Sequence, residues 1–374
     1  MKILLVGESS LLHNTLKKGL LERGHRVVLM SDGNDWHNSP RDIDLRRNMK
    51  RYGRWSGLMV LWKILCHLDV ICGNDIVQVH NYQFVPLMGW WNKVVFWFLK
   101  LTNKRIVKGC YADDPHLFRQ QAKGIPTYSD TYWNGKLQNI EENEERMAFH
   151  FMSQFDNCWH TVSYHSDALV ACLYEYYLCY DVPEFKDKLY YIPLPMEIPV
   201  EEKQQIKGKG EKIKVLVGVQ PKREFLKGAL KIACFVEILS QKYPGRIDMR
   251  YVEGVPYEEY CKMIDESDVI VDQLYSYTPS MNSLAAMARG TVVIGGGEEE
   301  YYQFIGEQGL RPIINVSPEY SDDENISIIE KAFFTDGNLA RLSAQSIAFV
   351  KKYHDYREVA KQYEQLYMKL SMQQ

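Results

Sequence analysis

The sequence predicts an α/β protein built as two doubly wound domains facing each other across a cleft. Three observations carry this expectation. A strand–loop–helix–strand unit opens the chain, a similar unit begins again near residue 213, and a proline-bearing polar stretch separates them. Such units build parallel sheets covered by helices, because a parallel crossover needs a connection of helix length. A chain of 374 residues also suits two domains of roughly 150 to 200 residues better than one core.

In the first unit, residues 3–6 read as a strand and Gly7-Glu8-Ser9-Ser10 as a loop. Leu11, Leu12, Leu16, Leu20 and Leu21 then share one helical face that ends at Gly24; glycine tolerates the left-handed cap. Residues 27–30 form the next strand. Further strands are expected at 75–79, 105–108 and 158–162, and a helix at 166–178. Three prolines, at 193, 195 and 199, and a run rich in Lys, Gln and Gly mark a linker. Beyond it, residues 213–217 are a strand and 228–243 a long helix. Strands follow at 246–252 and 269–271, a helix at 282–289, and a strand at 291–294 that runs into Gly295-Gly296-Gly297. A polar helix over residues 339–370 closes the chain, placed to pack back across the hinge.

Bulk properties narrow the function. The formal net charge is -3, which gives no sign of generic nucleic-acid binding, and no nucleic-acid partner is expected. Eight cysteines contain no Cys-x-x-Cys pair and no alternation with His in a zinc pattern. Most sit in apolar runs, as buried reduced thiols would, which fits a reducing, cytoplasmic compartment. The opening apolar run is a first strand, too short for a signal peptide. Residues 85–101 are the most apolar stretch but are interrupted by Asn92 and Lys93. They fall short of the roughly 18 to 20 apolar residues of a spanning helix, so no transmembrane segment is expected.

One basic stretch stands out in the first domain: Arg41, Arg46, Arg47, Lys50, Arg51 and Arg54. It precedes Trp55, Leu58, Met59, Leu61 and Trp62, and a second aromatic run holds Trp90, Trp91, Phe96, Trp97 and Phe98. Cations beside amphipathic aromatic segments suit an anionic membrane surface, here through residues 41–62 and 85–101. Core packing is the alternative role for many of these aromatics.

Four groups carry candidate chemistry. At the Gly7 loop, glycine permits close backbone approach, and amides at the helix start, with Ser9 beside them, suit an anion or a polar substrate group. It lacks the repeated glycines of a dinucleotide fingerprint, and a structural tight turn is the alternative. Arg223 and Lys227 are four apart, so one face would present both cations to a diphosphate if the helix has started by Arg223. Without a metal, a departing diphosphate needs such a pair; a solvated surface turn is the alternative. Gly295, Gly296 and Gly297 would expose amides after a strand, and Glu298, Glu299 and Glu300 would accept hydrogen bonds from sugar hydroxyls; a charged surface loop is the alternative. His80 ends a strand, where a doubly wound sheet presents functional groups, and His116 lies in Ala112-Asp113-Asp114-Pro115-His116; a structural or surface histidine is the alternative for each. His160 follows Trp159 at another strand expectation. Asp113 and Asp114 are adjacent without a supporting ligand cluster, so no metal is expected.

The order of motifs in the second domain resembles the retaining glycosyltransferases of the GT-B fold, the large family that includes sucrose- and mannose-transferring enzymes. The residues carrying the resemblance are Arg223 with Lys227-Gly228, and Gly254-Val255-Pro256-Tyr257-Glu258-Glu259. They continue with Ser267-Asp268-Val269-Ile270-Val271-Asp272-Gln273-Leu274 and Leu284-Ala285-Ala286-Met287-Ala288-Arg289-Gly290-Thr291-Val292-Val293. Phe349-Val350-Lys351-Lys352-Tyr353-His354-Asp355 is similar to the family's closing helix. Together with the Gly7 loop, the similarity spans nearly the whole chain.

The resemblance implies two Rossmann-like domains. Residues 1–200 would be the acceptor side, 201–210 the linker, 211–350 the nucleotide-sugar-binding domain, and 351–374 a helix packing toward the first domain. It implies no cofactor and no metal, a UDP- or GDP-sugar as donor, and a saccharide or lipid-linked acceptor in surface polysaccharide or glycoconjugate synthesis. Arg223 and Lys227 would be the catalytic pair binding the donor diphosphate, with Gly7, Gly295, Gly296, Gly297 and Glu298 as further donor contacts. Ser9, His80, Lys108, Asp113, His116 and Tyr277 are candidates for acceptor or sugar contacts. Lys108 stands where many members carry a histidine. The family's two glutamates, with seven residues between them, correspond here to Tyr277 and Ala285. Their loss removes charged hydrogen bonds usually worth about 1.5 to 3 kcal/mol each. Two other readings therefore stand beside the transferase: a non-catalytic nucleotide-sugar-binding or scaffold subunit, and a GT-B nucleotide-sugar epimerase.

Overall fold

The computed structural model of the protein describes residues 1–33, 38–199, 212–219 and 227–373, without the side chain of residue 54. The expected linker and Arg223 lie outside the described residues. The chain divides into two compact units, Met1–Gln120 with Glu144–Pro195 and Tyr356–Gln374, and Gln121–Asn143 with Met196–Asp355. Each half of the sequence therefore contributes a segment to the other half's unit.

The first unit holds a seven-stranded sheet. Its strands begin with β1 (Lys2–Val6), β2 (Arg26–Ser31), β3 (Ile43–Asp44), β4 (Ile76–Val79) and β5 (Arg105–Cys110). A small antiparallel hairpin of the second unit intervenes, β6 (Tyr132–Trp133) with β7 (Lys136–Leu137), before β8 (Ala168–Ala171) and β9 (Leu189–Tyr191). The spatial order is β3-β2-β1-β4-β5-β8-β9, with every pairing parallel. All four residues of β4 and of β8 are buried, as expected where helices cover both faces of a parallel sheet. Leu12, Leu16 and Leu20 of helix Leu12–Glu22 are buried, four apart on one face.

The second sheet has five strands: β10 (Ile213–Val219), β11 (Ile247–Glu253), β12 (Val269–Val271), β13 (Val292–Gly295) and β14 (Ile313–Asn315). Their order is β11-β10-β12-β13-β14, again all parallel. Val215, Val217, Val269, Val271, Val292 and Ile294 meet Ile232, Phe235, Val236 and Leu239 of helix Ala229–Lys242 in one core.

Three local expectations are corrected. Residues 158–162 are not a strand but part of helix Ser153–His165, whose buried Phe155, Cys158, Trp159 and Val162 recur three and four apart. That packing stripe overrides the strand propensity of the local Trp-His-Thr-Val run. The helix expected at 166–178 is instead β8 followed by helix Tyr174–Tyr180; a four-residue apolar run has no periodicity to tell strand from helix. The closing helix is two helices, Asn338–Tyr353 and Tyr356–Met372. At the break, the His354 carbonyl accepts the Met196 N–H at 2.7 Å. Helix Tyr356–Met372 then packs in the first unit, where Glu364 accepts hydrogen bonds from Arg23 and His25.

Candidate functional site

Ligand-binding loops of parallel sheets gather beyond the carboxyl ends of the strands, where the strand order reverses. That point lies between β1 and β4 in the first unit and between β10 and β12 in the second.

In the first unit it brings Gly7 and His80 together. Gly7 has φ +81, and a Cβ there would lie 1.9 Å from His80 Nδ1. Ser10 and Leu11 also take positive φ, 50 and 66, a conformation that costs about 1 to 2 kcal/mol per non-glycine residue. Glu8 holds this loop. Its carboxylate accepts the backbone N–H groups of Ser9 at 2.8 Å, His13 at 3.1 Å and Asn14 at 3.0 Å. The expectation of open amides at this helix start is therefore corrected: the chain's own carboxylate takes them. Burial pushes the Glu8 pKa up to about 7 against the pull of those three bonds.

A buried polar chain continues from the loop. His13 donates through Nδ1 to the Gly7 carbonyl at 2.8 Å, leaving Nε2 to accept the Gln78 side-chain amide at 3.2 Å. Burial pushes the His13 pKa down to about 3, so the ring is neutral. Gln78 donates to the Tyr111 hydroxyl at 3.0 Å and accepts the Tyr367 hydroxyl at 2.6 Å, while Tyr111 and Tyr363 share a hydrogen bond at 2.7 Å. Helix Tyr356–Met372 is thereby tied to the loop after β1. His80 itself is half-buried, and its Nδ1 has no hydrogen-bond partner among the described residues. Burial pushes its pKa down to about 4.

The other first-unit candidates face inward. Lys108 is fully buried and donates to the Tyr180 hydroxyl at 2.5 Å and to Asp114 at 3.4 Å. Burial works to raise the Asp114 pKa, but the Lys108 charge, the Tyr180 hydroxyl and the Leu117 amide hold it below the usual value. His116 stacks on Trp159, ring centroids 5.2 Å apart, and donates through Nε2 to the Cys179 carbonyl at 2.9 Å. Lys108 and His116 thus bind the interior of the first unit rather than present a group at its surface. Asp113 is held by Arg146 at 2.8 Å, and Ser9 is half-buried beside Glu8.

In the second unit the switch point joins the loops after β10 and β12. The Lys227 carbonyl accepts the Leu274 N–H at 2.9 Å. Gly228, at φ +70, follows with no side chain to cap helix Ala229–Lys242. The triple glycine packs onto the same β12 loop. Gly296 N–H donates to the Gln273 carbonyl at 2.9 Å, Gly297 N–H to Asn315 Oδ1 at 2.8 Å, and Glu298 N–H to the Tyr277 carbonyl at 3.2 Å. The expectation of exposed amides at 296 and 297 is corrected. A Cβ on Gly296 would lie 1.6 Å from the Ser276 carbonyl oxygen, so the glycine serves close backbone approach. Of the three glutamates, Glu298 accepts the Tyr128 hydroxyl at 2.6 Å and the Asn315 amide at 3.2 Å, and Glu299 pairs with Arg311 at 2.6 Å.

Tyr277 is 4% exposed and stacks on Tyr128, centroids 4.4 Å apart. Ala285 is buried within helix Met281–Ala288. Two organising roles were not read from the sequence, that of Tyr128 and that of Asp272, which stands in one of the resembling motifs without a role. Tyr128 comes from the hairpin segment of the first half of the chain, with no local motif to mark it. Asp272 accepts Ser280 Oγ at 2.8 Å and Asn282 Nδ2 at 3.1 Å, and also the Ser283 hydroxyl, fixing the entry to helix Met281–Ala288. The Ser280-x-x-Ser283 cap was its available signal, since Ser280 accepts the Ser283 N–H. Among the described residues no group of three His, Cys, Asp or Glu is placed to hold a metal ion.

No protein-family model and no curated protein matches the chain. Solved structures do. The sucrose-phosphate synthase of Thermosynechococcus elongatus superposes with TM-score 0.63 at 15% identity over 99% of both chains. The catalytic domain of starch synthase IV from Arabidopsis thaliana, bound to ADP and acarbose, gives 0.62 at 11% identity over 99% of both. The Anabaena protein HepE in complex with UDP-glucose gives 0.54 at 10% identity, over 98% of this chain and 99% of its own. With two helix-flanked parallel sheets and these full-length superpositions, the chain has the GT-B fold of two Rossmann-like domains.

Proposed function

We propose that the chain is a glycosyltransferase that moves a sugar from a nucleoside-diphosphate sugar to a saccharide or lipid-linked acceptor, with retention at the anomeric carbon. Surface polysaccharide or glycoconjugate synthesis is the setting that suits it. The observation that carries the reading is the 2.9 Å bond between the Lys227 carbonyl and Leu274 N–H. It fixes the Lys227 backbone in the turn just ahead of the Gly228 cap of helix Ala229–Lys242, so the helix begins after Lys227 and the expected helical face shared with Arg223 does not form there. A cation beside helix-start amides stabilises a diphosphate. The nucleotide ligands of two structural neighbours, ADP and UDP-glucose, support the same ligand class.

As the bond from the anomeric carbon to the donor phosphate breaks, its electron pair goes to the departing phosphate oxygen. Lys227, with Arg223 four residues before it, neutralises the charge that develops there. The acceptor hydroxyl oxygen forms the new bond, and its proton passes to the same phosphate oxygen. No separate general base is needed.

A thermal-shift screen over UDP, GDP, ADP and their sugars tests the binding half. A ligand at 100 times its Kd stabilises the folded state by about 2.7 kcal/mol. Mass spectrometry of donor consumption with saccharide and lipid-linked acceptors tests transfer. A chain that no nucleoside diphosphate or nucleotide sugar stabilises would refute the proposal. One observation favours a second reading: Tyr277 and Ala285, which the resemblance sets where that family carries glutamates, are both buried. A non-catalytic nucleotide-sugar-binding subunit would show stabilisation by a nucleotide with no transfer to any acceptor.

A further inference from the structure

The strongest feature outside this site is a pair of apolar stripes on the outer side of the first unit. Helices Ser56–Cys66 and Gly89–Thr102 pack their inner faces, through Val60, Ile64, Val95, Phe96 and Leu99, into one core with β1 and β4. Their outer faces are apolar too. On the first, Trp55, Leu58, Trp62 and Leu65 recur at helical spacing with 50% to 74% of their surface exposed. On the second, Trp90, Val94, Trp97 and Leu101 do the same, at 40% to 83%. Arg47 ties the two helix starts together, donating to Ser56 Oγ at 3.0 Å and to the Pro86 carbonyl at 3.4 Å. Exposed Trp in water is costly, and two parallel-spaced stripes of it mark a docking face.

We propose that this face rests on an anionic lipid bilayer. Charge selects that occupant. Residues 45–101 contain eight Lys or Arg and two Asp, a net charge of +6, in a chain whose formal charge is -3. Exposed Lys50 and Arg51 border the first stripe. A second copy of the chain would bring two positive faces together, whereas anionic headgroups complement them and draw in counter-charge at roughly 1 kcal/mol per cation. Tryptophan also suits this partner. Five of the eight tryptophans fall between residues 55 and 97, and indole rings prefer the headgroup level, with the ring apolar and the N–H hydrated. The described residues contain no helix long and apolar enough to cross a membrane, so the contact is one of lying on the surface. It does not depend on the transfer reaction.

Flotation of the full chain with phosphatidylcholine vesicles, with and without phosphatidylglycerol, tests this without any sugar donor. Binding is expected to be at least roughly tenfold tighter to the anionic vesicles, with a blue shift of tryptophan emission, and to weaken as salt rises. Lys50→Glu/Arg51→Glu lowers anionic binding by about tenfold or more. Trp62→Ser/Trp97→Ser abolishes the blue shift while leaving the circular-dichroism melt unchanged. Equal binding to both vesicle types, or none to either, overturns the proposal. So does a concentration-dependent dimer that Trp62→Ser/Trp97→Ser dissociates, which would make the stripes a protein interface.

Discussion

Gly7 and His80 meet beyond the carboxyl ends of β1 and β4, so closely that a methyl group on residue 7 would lie 1.9 Å from His80 Nδ1. Gly7→Ala therefore combines a left-handed backbone with a steric clash. These cost about 1 to 2 kcal/mol and about 1 to 3 kcal/mol respectively. The expected result is a chain destabilised by about 2 to 5 kcal/mol in urea unfolding. His80→Ala in the same background should recover the clash component alone.

Glu8 makes stability depend on pH near neutrality. Its folded-state pKa of about 7 lies above the ordinary 4.5, so the folded chain holds the proton more tightly than the unfolded one. The Glu8 contribution is greatest below pH 4.5, falls as pH rises to 7, and is level above that. The total change is about 3 kcal/mol. Glu8→Gln removes this titration, so the Tm of wild type minus that of the variant should fall steadily as pH rises from 4.5 to 7. A difference constant across that range would contradict it.

Lys108 and Asp114 form an ion pair with side chains 0% and 1% exposed. Removing either partner alone strands a buried charge, at a cost of about 3 to 5 kcal/mol. Lys108→Met and Asp114→Asn should each destabilise the first unit by that order, and the double variant by less than their sum. Denaturant unfolding of the four proteins measures the coupling directly.

Arg223→Ala and Lys227→Ala should weaken nucleoside-diphosphate affinity without lowering the melting temperature of the ligand-free chain. Each charged hydrogen bond lost is worth about 1.5 to 3 kcal/mol, or roughly 10- to 150-fold in Kd. Calorimetric titration with the nucleotide that gives the largest thermal shift reads this out. Unchanged affinity and turnover in the double variant would remove the pair from the mechanism.

Tyr128→Phe should cost about 1 to 3 kcal/mol, because the Glu298 carboxylate loses the hydroxyl it accepts at 2.6 Å. Glu298→Gln, which retains an acceptor, should cost less. Thermal denaturation of both variants distinguishes a structural carboxylate from one reserved for a sugar hydroxyl, whose loss would leave stability unchanged.

The local sequence determined the alternation of strands and helices, because a 3.6-residue or unbroken apolar pattern is written within a dozen residues. Thus the strand at Val269–Val271 and the helix after Gly228 stand in the structure where periodicity placed them. The pairing of Gly7 with His80 and of Lys227 with Leu274 was legible only as four residues near strand ends. Sheet order set them beside one another. Tertiary structure alone decided what the loop amides do: Glu8 fills one set, and Gln273, Asn315 and Tyr277 fill the other. The same is true of Tyr128, which crosses from the first half of the sequence to stack on Tyr277. Whether such partners are a few residues apart, as around Glu8, or come from opposite halves of the sequence, as Tyr128 and Tyr277 do, a hydrogen bond or ring stack leaves no periodic trace in the chain that forms it.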